Sequence, residues 1–279
     1  MQLPHPFNND NNDNKYKYPL KIPYINIQGS GQPFIWLHGM LNSVESDSLY
    51  SLIDFDQLSE IVSLIRYNSC DQSPTGDYCW NAMIEELMGV ADHQKYDSMI
   101  LGGCSMGSGT ALHAAIRFPE RVKALVLVTP PPAWELRTSI KKVYEKVALK
   151  ANSEFIPQLI KRIIHLNEDP PAFFEELRPG TRQRLLELRL GFDPHYYYSI
   201  YHGGAISDFP THDQIAQIKV PTLIVTDPDD LNHPIEIARE INKLIPDSEL
   251  FQVSCINDYN KLQNRIHDFI CSIENNNKT

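Results

Sequence analysis

Short apolar segments alternate with amphipathic ones along most of this chain. Seven segments are rich in β-branched, aliphatic and aromatic residues, and several of them are apolar throughout, such as FIWL, ALVLV and TLIV. Strands that are buried on both faces have this composition, and helical segments between them are typical of a mostly parallel α/β sheet with helices on both faces. The predicted strands cover residues 24–28, 33–38, 61–67, 98–102, 124–128, 222–226 and 249–253.

Two local features refine this prediction. The sequence Gly29-Ser30-Gly31 separates the first two predicted strands, so we expect those strands to form an antiparallel hairpin at one end of a mixed sheet. A helix is predicted over residues 80–91, and Asp77 is expected to cap its N-terminus.

The alternation of strands and helices is interrupted between residues 134 and 218. This interval has no strand pattern, but apolar residues recur there at helical spacing, and prolines mark both of its edges. We therefore predict an inserted helical lid over 134–218 and a core made of residues 20–133 and 219–273. The polar segments 1–19 and 274–279 are predicted to be flexible tails.

Charge and composition exclude several classes of protein. The 279 residues carry a formal net charge of −10, and the longest basic stretch is Lys141-Lys142, which argues against a nucleic-acid partner. Apolar runs are far shorter than the roughly 20 residues of a membrane-spanning helix. The five cysteines show no metal-binding spacing, and no metal or organic cofactor is expected. Without a signal-peptide pattern, the expected location is cytoplasmic.

A candidate nucleophile follows the fourth predicted strand. The sequence Gly103-Cys104-Ser105-Met106-Gly107 has the pattern G-x-S-x-G, and a helix-patterned segment comes directly after it. A sharp strand-to-helix turn strains the backbone of the serine and is possible only where neighbouring residues lack a Cβ. Such a turn exposes the hydroxyl of Ser105 above the sheet edge. Cys104, next to it, is interpreted as a small buried filler.

The chain resembles α/β-hydrolase-fold proteins of the lid-bearing esterase, lactonase and dehalogenase-like group over about residues 20–272. Four segments carry the resemblance: Leu37-His38-Gly39-Met40, GGCSMG around Ser105, FPERVKALVLVTPP, and VPTLIVTDPDD followed by Pro234. The resemblance implies that the backbone amides of Met40 and Met106 form an oxyanion hole. It also implies that the catalytic acid lies in the loop after the strand at 222–226.

Within that loop the family pattern selects Asp230, although Asp227 stands where the family usually has a glycine. Asp229 is an alternative acid. The family's catalytic histidine lies in the loop after the final strand, but residues 254–260 here contain no histidine. Only His233 and His267 follow Asp230 in the sequence, and His267 is predicted to lie on the surface of the last helix. His233 is the preferred base because it shares the loop of Asp230.

A cluster of tyrosines and histidines, HYYYSIYH at residues 195–202, lies within the predicted lid. His202 and His195 are further candidates for the base, although the cluster is more simply interpreted as lid core or pocket lining. The residues expected to contact the substrate are His38, Tyr197, Tyr201 and His202.

Two functions are compatible with these features. The first is a serine hydrolase that cleaves an ester or lactone of a small, largely apolar molecule. The second is a degenerate member that uses the same pocket to bind a small ligand or partner without turnover. A lyase or isomerase reaction at the same site is a further variant.

Overall fold

The computed structural model describes residues 23–69, 78–151, 154–166 and 171–276. Seven strands form a single sheet, and each of the seven predicted strand segments is confirmed to within two residues at either end. Their bounds are β1 Ile25–Gly29, β2 Pro33–Leu37, β3 Ser63–Tyr67, β4 Met99–Cys104, β5 Val122–Val128, β6 Thr222–Thr226 and β7 Ser248–Gln252.

The strand order is β1-β3-β2-β4-β5-β6-β7, with β1 antiparallel and all other neighbours parallel. The mixed sheet was predicted correctly, but the predicted hairpin is wrong, because β1 pairs with β3 and not with β2. Burial explains the difference. Phe34 and Ile35 in β2 are fully buried, so β2 needs a strand on each side, whereas Ile27 in β1 is 45% exposed and suits the sheet edge.

Helices cover both faces of the sheet. On one face the helices α3 and α4 share an apolar core with residues such as Ile35 and Leu101, and on the other face the C-terminal helix α12 shares a second core with Phe34 and Trp36. The helices are α1 Val44–Leu49, α2 Phe55–Ser59, α3 Trp80–His93, α4 Met106–Arg117, α5 Trp134–Lys150, α6 Phe155–Leu166, α7 Phe173–Leu177, α8 Thr181–Leu190, α9 Pro194–Ile206, α10 His212–Ile215, α11 Ile235–Leu244 and α12 Ile256–Asn276, with a 3₁₀ turn at Pro119–Arg121.

The chain between β5 and β6 forms the helices α5 to α10, and the described part of this segment contains no strand. Helices α5 and α9 pack extensively against each other. The tyrosine and histidine cluster lies on α9. This helical layer carries the side chains that face the carboxyl ends of the strands.

Several local expectations have a different outcome. Helix α3 begins at Trp80 with Cys79 as its N-cap, and Asp77 lies outside the described residues. Residues 1–22, which include the predicted N-terminal tail 1–19, also lie outside them. Helix α12 runs to Asn276, so the predicted C-terminal tail is wrong for residues 274–276. The expected loop at 254–260 is also wrong, because α12 already begins at Ile256. Over the described ranges, no helix is both long and apolar enough to cross a membrane.

Candidate active site

Ser105 lies on a sharp turn between the end of β4 and the start of α4. Its backbone has φ 51° and ψ −111°, a conformation that a residue with a side chain rarely adopts. The turn is possible because both flanking glycines lack a Cβ: one on Gly103 would overlap the backbone of Gly107, and one on Gly107 would overlap the carbonyl oxygen of Leu37. The amide of Ser105 donates a 2.9 Å hydrogen bond to the carbonyl of Val128, which ties the turn to β5.

The loop between β6 and α11 brings His233 to Ser105. The distance from His233 Nε2 to Ser105 Oγ is 2.8 Å, and the distance from His233 Nδ1 to Asp230 Oδ2 is 2.6 Å. The other oxygen of Asp230 accepts the backbone amides of Asn232 at 2.8 Å and His233 at 3.3 Å. The three side chains thus form one continuous chain of hydrogen bonds.

Electrostatics favour a charged Asp230. Burial by itself would raise the pKa of this carboxyl, but the hydrogen bond and charge of His233, together with the two backbone amides, lower the pKa overall. An ionised Asp230 accepts a hydrogen bond from the Nδ1–H group of His233, which leaves Nε2 unprotonated and able to accept the hydroxyl proton of Ser105. The arrangement can therefore take a proton from the serine.

The two other acidic residues of the loop have different surroundings. The carboxylate of Asp227 accepts the backbone amide of Asp229 at 2.9 Å, and burial raises the pKa of Asp227. The alternative acid Asp229 is exposed. Of the three carboxyl groups, that of Asp230 is the one hydrogen-bonded to the ring of His233.

Met40 and Met106 line the same cavity as Ser105. Met106 is the first residue of α4, so its amide has no acceptor within the helix and lies at the positive end of the helix dipole. Met40 follows β2 in a turn that is closed by a 3.2 Å hydrogen bond from the amide of Asn42 to the carbonyl of Gly39. Both backbone segments expected to hold an oxyanion therefore border the serine.

His38 lies behind this turn and is only 4% exposed. Its Nε2 accepts the backbone amide of Ser69 at 3.0 Å, and its Nδ1 lies 2.8 Å from the carbonyl of Gly39. Burial lowers the pKa of His38 below the usual range. With both ring nitrogens bound to the backbone, His38 holds the turn in place and is not among the cavity-lining residues, contrary to the expectation that it contacts substrate.

The three other expected substrate contacts are also absent from the cavity wall formed by the described residues. Tyr197 is fully buried and donates its hydroxyl to the carbonyl of Arg189. Tyr201 packs edge-on against Tyr144, and His202 stacks on Tyr198. These three side chains of α9 therefore pack inside the helical layer or on its outer side.

The remaining histidines considered as bases have other surroundings. The side chain of His267 is 57% exposed and lies beside the carboxylate of Asp268. His195 stands in the exposed first turn of α9. Cys104 lies 3.3 Å from the hydroxyl of Thr129 and is partly buried. Over the described ranges, His233 is the histidine that contacts Ser105, and no group of three His, Cys, Asp or Glu residues suits a metal ion.

A narrow cavity lies beside Ser105. Much of its wall comes from residues that the sequence motifs did not indicate: Trp80 of α3, and Arg137 and Tyr144 of α5. Arg137 and Tyr144 are seven positions apart, a spacing that places two side chains on one face of a helix. That spacing was a usable signal, but the aromatic cluster of α9 was the more conspicuous one.

Comparisons of the sequence with known proteins point in one direction. A family model described as alpha/beta hydrolase fold matches residues 32–140. The chain is 28% identical over 242 residues to the AB hydrolase superfamily protein YisY of Bacillus subtilis, which covers 81% of this chain and 85% of that protein. It is 26% identical over 233 residues to the 2-hydroxy-6-oxo-2,4-heptadienoate hydrolase of Pseudomonas putida, covering 80% of each.

Solved structures show the same architecture. The enol-lactonase from Burkholderia xenovorans LB400 superposes with a TM-score of 0.74 at 18% identity, covering 89% of this chain and 96% of that one. A thermophilic esterase from Thermogutta terrifontis superposes with a TM-score of 0.70 at 18% identity, covering 90% and 93%. At these identities the likeness establishes the fold.

Proposed function

We propose that this protein, which has the α/β-hydrolase fold, is a serine hydrolase that cleaves an ester or lactone bond through an acyl-enzyme on Ser105. One observation carries the proposal: Ser105 Oγ, the ring of His233 and the carboxylate of Asp230 are joined by hydrogen bonds of 2.8 and 2.6 Å. A nucleophile, a base and a group that orients the base are the parts that acyl transfer requires.

In the proposed reaction, Ser105 Oγ attacks the substrate carbonyl carbon while His233 Nε2 accepts the hydroxyl proton. The amides of Met40 and Met106 stabilise the oxyanion of the tetrahedral intermediate. Asp230 stabilises the imidazolium of His233, which then protonates the leaving oxygen. Water attacks the acyl-enzyme by the same route in reverse and releases the acid.

The helices between β5 and β6, together with the cavity wall, favour a small and largely apolar substrate. In this proposal residues 134–218 form a lid over the active site, and residues 20–133 and 219–273 form the catalytic core. The cavity beside Ser105 is narrow, and its wall includes the apolar side chains of Met40, Trp80 and Met83. Relatives that are named as an enol-lactonase and an esterase are consistent with carbonyl chemistry on small molecules.

The alternative of a ligand-holding protein without turnover was motivated by the loop after β7, which lacks a histidine. His233 removes that motive, because an imidazole reaches Ser105 from another loop. The strained backbone of Ser105 also argues for catalysis, since such a conformation destabilises the fold and persists where function depends on it.

Two measurements test the proposal. A fluorophosphonate probe is expected to label the wild type rapidly and to leave Ser105→Ala unlabelled, because only an activated serine reacts quickly. The wild type is also expected to hydrolyse 4-nitrophenyl acetate or butyrate, and Ser105→Ala to lose that activity. A folded wild type that neither reacts with the probe nor hydrolyses these esters contradicts the proposal.

A further inference from the structure

A guanidinium group lies in the wall of the cavity that contains Ser105. It belongs to Arg137, on the first helix of the lid, which is 5% exposed. A charged side chain buried to this extent is uncommon and normally has a partner of opposite charge. What surrounds this group therefore bears on what the cavity binds.

Two of the three guanidinium nitrogens are occupied by backbone carbonyls. Nε and Nη2 donate to the carbonyl of Ser207 at 3.1 and 3.0 Å, and Nη2 also donates to the carbonyl of Gly204 at 2.7 Å. These carbonyls lie at the C-terminal end of α9, where the helix dipole is negative. Among the described residues, the third nitrogen, Nη1, has no acceptor.

Aromatic rings fix the plane of the group. The guanidinium carbon lies 4.8 Å from the ring centre of Trp80 and 5.8 Å from that of Tyr144, and both rings also line the cavity. With two nitrogens held by α9 and these rings beside it, the guanidinium is fixed before any ligand arrives. A donor that is fixed in advance binds with little loss of side-chain entropy.

The structure provides this cation with little compensating charge. Among the described residues, no carboxylate forms an ion pair with Arg137. Asp208 acts on Arg137 only at longer range and forms its 2.8 Å ion pair with Lys141, where the Asp208 side chain is 77% exposed. Partial helix charge and aromatic faces stabilise a guanidinium less than a carboxylate in bidentate contact does.

We propose that Arg137 binds a carboxylate group of the substrate. This inference rests on the proposed hydrolase function and narrows its substrate class to an ester or lactone that carries a carboxylate within the span of the cavity. The rest of the wall is largely apolar, so the substrate has a hydrocarbon body and one anionic end. Nη1 donates to that anion while Nε and Nη2 stay bound to α9.

A purely structural role for Arg137 makes a different prediction. If Arg137 only stabilises the end of α9, its replacement impairs the hydrolysis of neutral and anionic substrates alike. If Arg137 binds the carboxylate, the loss depends on the charge of the substrate. The comparison of two esters that differ in one charge therefore separates the two roles.

The test uses mono-4-nitrophenyl adipate, which ends in a carboxylate, and its neutral methyl ester. We expect the wild type to hydrolyse the anionic ester with a kcat/KM at least tenfold higher, mainly through a lower KM. Arg137→Gln is expected to bring the ratio near one, and Arg137→Lys to retain part of it. Lys141→Gln, which removes a charge from the same helix outside the cavity, is expected to keep the wild-type ratio.

Three results overturn the inference: a wild type without preference for the anionic ester, an Arg137→Gln variant with an unchanged preference, or an equal loss on both esters. If Arg137→Gln does not fold, the wild-type ratio decides, together with inhibition of neutral-ester hydrolysis by adipate but not by adipamide. Hydrolysis of both esters at equal rates leaves the hydrolase proposal intact. Absence of hydrolysis and of fluorophosphonate labelling contradicts the hydrolase proposal itself.

Discussion

The carboxylate of Asp230 and the ring of His233 are 2.6 Å apart although the two residues are separated by only three positions of one loop. The geometry is possible because the second oxygen of Asp230 accepts the amides of Asn232 and His233, so the loop folds around its own carboxylate. Pro234 then leads directly into α11. Because the base comes from this loop, the site needs no histidine after β7. The connection there is short, and α12 begins four residues after β7 ends.

The first prediction concerns His233. We expect His233→Ala to lower kcat for 4-nitrophenyl butyrate by roughly 10⁴-fold or more, because among the described residues the ring of His233 is the base that is hydrogen-bonded to Ser105 Oγ. Circular dichroism and thermal unfolding are expected to show a folded variant, since His233 is partly exposed.

His267→Ala is the matched control for this variant. It removes an exposed imidazole that follows Asp230 in the sequence, and its kcat is expected to equal that of the wild type. Turnover by His233→Ala within tenfold of the wild type contradicts the assignment of His233 as the base.

The strands and the serine turn could be predicted from sequence because their signals are local. Apolar runs mark buried strands, and the two glycines that flank Ser105 mark its turn. Both patterns can be recognised without knowing which distant residues meet in the fold. His233 could be proposed only by chain order and by its nearness to Asp230. Its distance to Ser105 depends on how the β6 loop folds over β4, which no local pattern specifies.

The failures involve long-range relationships. The hairpin of β1 and β2 was predicted from a glycine turn, but pairing followed the need of β2 for two neighbours. Substrate contacts were predicted from the aromatic content of α9, yet Tyr197 is fully buried inside the helical layer. Arg137 was missed because its seven-residue spacing from Tyr144 is a weaker signal than the aromatic cluster of α9.

The second prediction concerns the serine turn. Gly107→Ala is expected to abolish activity and to destabilise the fold by several kcal/mol, because the added methyl would overlap the carbonyl of Leu37, and backbone cannot move aside cheaply. Thermal unfolding and fluorophosphonate labelling measure the two effects. Gly191→Ala, where the nearest atom is 3.3 Å from the added Cβ, is expected to change both only slightly. A Gly107→Ala enzyme with wild-type stability would show that the turn is less tightly packed than described.

The third prediction concerns His38. His38→Leu keeps the volume of the ring but removes the acceptor of the Ser69 amide, which is expected to cost about 1–3 kcal/mol of stability. Because the ring positions the Met40 turn and does not line the cavity, kcat is expected to fall more than KM rises. A variant with an increased KM and an unchanged kcat would instead support the earlier expectation that His38 contacts substrate.

The last prediction concerns Asp47, a carboxyl that is 2% exposed and accepts a 2.7 Å hydrogen bond from Trp36 Nε1. Burial raises its pKa from 3.8 to about 7, against the opposing effects of the Trp36 bond, Arg66, Asn42 and Arg189. Between these two values the folded protein binds a proton that the unfolded chain has released. This group therefore lowers the free energy of unfolding as the pH rises through that window, by roughly 1.4 kcal/mol per pH unit.

Asp47→Asn retains an acceptor for Trp36 and removes the titration. The difference in free energy of unfolding, variant minus wild type, is expected to increase by a few kcal/mol between pH 5 and pH 8, as measured by urea unfolding at each pH. Asp213→Asn, at an exposed position, is expected to show no such trend. A difference for Asp47→Asn that stays constant across this range would mean that Asp47 is already ionised in the folded protein at pH 5, with Arg66 and Arg189 outweighing its burial.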